Sequence, residues 1–85
     1  MFYYMSKGDF YRIAAVVEVV SDYGHLLTDE CLEKFEEWFS DCDHDSFDNF
    51  CSEVSDEWHD GYPMMSFNDY EGIANIINDC IKEWI

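Results

Sequence analysis

The stretch SDCDHDSFDNF, residues 40–50, holds the densest set of side chains with chemical potential in this chain. Asp41, Asp43 and Asp45 alternate with Cys42 and His44, and Asp48 follows. Three alternating aspartates resemble the start of an EF-hand calcium loop. Such a loop needs oxygen ligands at positions 1, 3 and 5, glycine at 6 and a bidentate glutamate at 12. Counting from Asp41, position 6 is Ser46, position 8 is Asp48 and position 12 is Ser52, with Glu53 one residue late. A degenerate cation site through Asp41, Asp43 and Asp45 stays open as an alternative; a working EF-hand does not fit. Cys42, His44, Cys51 and His59 are zinc-ligand types, yet their spacing matches none of the strong zinc patterns. His25, His44 and His59 stand near acids, but there is no nucleophile elbow, phosphate loop or HExxH. No metal site, cofactor or catalytic residue is assigned, and an enzyme is not expected.

The charge of the whole chain gives these aspartates another meaning. Twenty acids face four bases, Lys7, Arg12, Lys34 and Lys82, for a formal net charge of −16 over 85 residues. A soluble small domain usually carries a net charge of magnitude ~2–8. Direct binding to DNA, RNA or an anionic membrane needs Lys and Arg and is not expected here. The fitting partners are basic proteins. The sequence has no 18-residue apolar run, so no membrane span is predicted. MFYYMSKGDF lacks the features of a signal peptide, so a cytoplasmic location and reduced cysteines are expected. Seven Phe, six Tyr and three Trp argue for a packed core rather than disorder.

Four helical patterns must position the acids within a single domain, residues 1–85. The first covers residues 9–23, with Phe10, Ile13, Ala14, Val17 and Val20 as its apolar stripe and Gly24 as its stop. Its run VVEVV is β-branched, which keeps a strand as the alternative there. The second begins after Thr28, a good N-cap, with Asp29 and Glu30 in the first turn. Its predicted face is Leu32, Phe35 and Phe39, flanked by Cys31 and Trp38. The third starts near residue 45 or 46, with Phe47, Phe50, Cys51, Val54 and Trp58 at helical spacing, and stops at HDGYP. The fourth starts near Ser66, with Asp69 three residues on in a capping-box-like arrangement. Its stripe is Tyr70, Ile73, Ala74, Ile77, Cys80, Ile81 and Trp84; Ile76 and Ile85 lie off it and suggest burial on two sides. Gly72 suggests close packing. Cys31, Cys51 and Cys80 read as small core hydrophobes. The predicted fold class is all-α, a compact bundle of about four short helices. The alternative is α+β with a small N-terminal strand pair; MFYYM itself reads as a short strand or an extended arm.

Residues 29–60 hold thirteen acids and one base, Lys34. Glu30, Glu33 and Glu37 form one row on the second helix, with Asp29 and Glu36 beside it. Glu53, Asp56, Glu57 and Asp60 form another on the third. Asp41, Asp43, Asp45 and Asp48 bridge the two as one anionic ridge. Like charges three or four residues apart cost ~0.2–0.5 kcal/mol per pair, so roughly eight such pairs cost about 2–4 kcal/mol at low salt. A native domain has only ~5–15 kcal/mol in all, so the rows are not there for stability. Beside them, Tyr62, Met64 and Met65 in GYPMMSF are candidate apolar anchors. MFYYM is another candidate anchor or a homodimer contact.

The size, the charge and the acidic stretches TDECLEKFEEWFSD and SEVSDEWHD resemble small phage or mobile-element counter-defence proteins. These include anti-CRISPR and anti-restriction nucleic-acid mimics. The resemblance is one of overall character, so no functional residue is carried over. It implies an inhibitor that acts in the host cell cytoplasm. Its target would be a basic nucleic-acid-binding protein, such as a host defence nuclease or a CRISPR-Cas complex. The alternative is a protein-interaction module without mimicry, such as an antitoxin or an assembly partner of a basic protein.

Overall fold

Ser6, Thr28, Asp43 and Asp69 begin the four helices of this protein. In each case the side-chain oxygen accepts the backbone N–H three residues on, at 3.0–3.3 Å. A computed structural model describes residues 6–85; the MFYYM segment lies outside the described residues. The helices are α1 (Lys7–Asp22), α2 (Asp29–Ser40), α3 (His44–Gly61) and α4 (Tyr70–Cys80). Short 3-10 turns occupy Gly24–Leu26 and Ile81–Glu83. Among the described residues there is no strand, so the all-α bundle holds and the β-branched run VVEVV is helical. Packing overrides the weak helix propensity of valine because Val16 and Val19 are fully buried.

The core draws on every helix. Its largest fully buried side chains are Trp58, Phe50, Ile73, Ile76, Ile77 and Ile81, with valines and cysteines between them. The α3 face is as the spacing predicts, with Phe50, Cys51, Val54 and Trp58 buried and Phe47 packed against them. The α4 stripe also holds, and Ile76 is buried in addition, whereas Ile85 is exposed. Two predicted faces have the wrong phase. On α1 the buried residues are Ala15, Val16 and Val19, while Phe10, Ala14 and Val17 are exposed. On α2 the buried residues are Cys31, Phe35 and Trp38, and Leu32 and Phe39 are exposed. The residues read as flanking are thus the centre of that face.

Arg12 explains part of the error on α1. Its guanidinium lies 5.8 Å from the Trp58 ring centroid and 3.5 Å from Asp9 Oδ1. Ser55, buried on α3, donates to the same Asp9 oxygen at 3.4 Å. A polar residue therefore sits in line with the buried stripe and hides it. α4 begins at Tyr70 rather than near Ser66, because Asp69 is the cap itself, with its Oδ1 accepting from Gly72 N–H at 3.0 Å. An added Cβ on Gly72 would lie 2.7 Å from both Asp69 Oδ2 and Met65 Sδ, so the close packing expected there is present. Asn78 ties the 3-10 turn to α4: its Nδ2 donates to the Leu26 carbonyl, and its Oδ1 accepts from Thr28 N–H.

Candidate functional site: an acidic face around the C-terminal turn

The loop that opens the sequence argument is a corner between two helices. Cys42 N–H donates to the Phe39 carbonyl at 3.3 Å and Asp43 N–H to the Trp38 carbonyl at 2.8 Å. This is the Schellman ending of α2, with Cys42 at φ 57° in the left-handed position that glycine usually fills. Asp43 then caps α3: its carboxylate accepts from Ser46 N–H at 3.1 Å and from Ser46 Oγ at 2.7 Å. Those two bonds hold its pKa below the usual aspartate value. The chain is already helical at Ser46, where a calcium loop needs an open turn. Among the described residues no three His, Cys, Asp or Glu side chains gather as metal ligands would. The zinc set is scattered as well. Cys51 is buried, and His44 and His59 stand ~22 Å apart along α3 at 1.5 Å per residue.

The two acidic rows meet elsewhere, across the C-terminal segment. Trp84 packs edge-on against Trp38 of α2 at 5.3 Å and Phe50 of α3 at 6.0 Å between ring centroids. Its Nε1 donates to Glu53 Oε2 at 2.8 Å. On the α3 side, Glu53, Glu57, Asp79, Glu83 and Tyr62 line a cleft of about 120 Å³ floored by Ile76 and Cys80. On the α2 side, Glu30, Glu33, Lys34 and Glu37 line a second hollow with Ile85. The crowding has an electrostatic signature. A hydrogen bond with Glu53, then its charge, lifts the Glu83 carboxyl above the ordinary glutamate value, with smaller effects from desolvation and Glu57.

The sequence-predicted acids therefore divide. Glu30, Glu33 and Glu37 lie on one side of the C-terminal segment, and Glu53 and Glu57 on the other. Asp56 is exposed about 60° round α3 from Glu53, and Asp60 is exposed about 10 Å further along the Glu53 side of the helix. Asp41, Asp43, Asp45 and Asp48 belong to the corner, and Asp48 sits about 140° around α3 from Glu53 at 100° per residue. Glu36 lies on the opposite flank of α2, beside Leu32 and Phe39. Asp79 and Glu83 were missed. Their i, i+4 spacing beside the stripe Cys80, Ile81 and Trp84 is the signal that places them there.

Little positive charge offsets this face. Lys34 Nζ is 3.7 Å from Glu37 Oε2 and 5.9 Å from the Trp38 ring centroid, and Lys82 Nζ is 3.6 Å from Asp79 Oδ1. Of the apolar anchors, Tyr62 borders the acidic cleft and Met64 is exposed, while Met65 packs against the core. Comparison with protein-family models, curated proteins and solved structures returns no match.

Proposed function

We propose that this protein is a non-catalytic inhibitor that occupies the nucleic-acid groove of a basic protein. Its working surface is the acidic face built by α2, α3 and the C-terminal turn. The observation that supports this reading is the gathering of Glu53, Glu57, Asp79 and Glu83 around one cleft, with Glu53 and Glu57 close enough to lift the Glu83 carboxyl. A fold gains nothing in stability from such crowding; a surface made to meet cations does. Carboxylates a helical turn apart, ~5–6 Å, offer a row of anions in place of a phosphate backbone. Glu30, Glu33 and Glu37 extend that row across the Trp84 seam, and Tyr62 supplies an apolar contact at its edge. The target is a DNA- or RNA-binding protein of host defence, a nuclease or a CRISPR-Cas complex, met in the host cell cytoplasm.

The test is competition. The target is captured from host lysate with the immobilised protein and then loaded with a fluorescent duplex or guide RNA. The protein is expected to displace the nucleic acid, with a displacement constant that weakens steeply as NaCl rises. The quadruple variant Glu53→Gln, Glu57→Gln, Asp79→Asn, Glu83→Gln should lose most of that activity. A ternary complex in which the nucleic acid stays bound would sink the mimic and favour an interaction module of another kind.

A further inference from the structure

We draw no further inference here: the strongest candidate, the cleft between α3 and the C-terminal turn that Glu53, Glu57, Asp79 and Glu83 line over Ile76 and Cys80, belongs to the acidic face already described and is a cluster of carboxylates in which nothing identifies a ligand of its own.

Discussion

Replacing Trp84 tests whether the C-terminal segment holds the two acidic rows together. The ring is half-buried against Trp38 and Phe50, and its Nε1 donates to Glu53 at 2.8 Å. Trp84→Ala exposes on the order of 100 Å² of apolar surface, worth about 2.5 kcal/mol at 25 cal/mol per Å². It also loses the edge-on aromatic contacts, about 1 kcal/mol. A hydrogen bond to a carboxylate that is partly solvated adds about 1 kcal/mol more. The expected loss is about 4.5 kcal/mol, against a reserve of roughly 4–13 kcal/mol for a chain of this length. Trp84→Phe keeps most of the packing and should lose only about 1–1.5 kcal/mol. At ~4–8 °C per kcal/mol, the melting temperature falls by roughly 4–12 °C for Trp84→Phe and 18–36 °C for Trp84→Ala. Urea unfolding followed by far-ultraviolet circular dichroism measures both, because tryptophan fluorescence changes with the substitution itself. Glu53→Gln keeps an acceptor for Nε1 and removes the repulsion with Glu83, so it should be at least as stable as the parent. If Trp84→Ala costs less than about 1 kcal/mol, the segment is not docked between α2 and α3. The continuous acidic face then fails with it.

Acid should at first stabilise this protein. The Glu83 carboxyl has a raised folded-state pKa, so its contribution to stability is full below the unfolded glutamate value and is lost as pH rises through the folded one. Lowering pH from neutrality toward the ordinary glutamate pKa should therefore raise the melting temperature, and Glu83→Gln should raise it at neutral pH and flatten that rise. The lowered pKa of Asp43 acts the other way, but only in stronger acid, as pH falls through its folded value. Cys42→Gly should stabilise by about 0.5–1 kcal/mol in the same urea assay. It removes the left-handed penalty of ~1–2 kcal/mol and gives back part of it as glycine chain entropy. Thiol titration with a chromogenic disulfide should find one fast cysteine, Cys42, in the native protein. Burial pushes the Cys51 and Cys80 thiols up to about 12 and raises that of Cys31, so all three should react only on unfolding.

Helix existence was legible because caps and breakers are local. Thr28 predicts the start of α2 and Gly61 the end of α3, and each needs only its own turn. The phase of a helix is not local when two faces are apolar. On α1, Phe10, Ile13, Val17 and Val20 look more hydrophobic than Arg12, Ala15, Val16 and Val19. Ala15, Val16 and Val19 are buried and Arg12 half-buried on that side, because Ala15 is small at the contact and the Arg12 guanidinium finds Asp9 and the Trp58 face. The same holds on α2, where Leu32 and Phe39 read as core and Trp38 as flank. The acids were legible as rows, but the element that joins the rows was not. Spacing ties Asp41, Asp43 and Asp45 to the loop between them, and the fold adds Trp84 between Trp38 and Phe50. A long-range aromatic contact across residues 38–84 has no sequence signature.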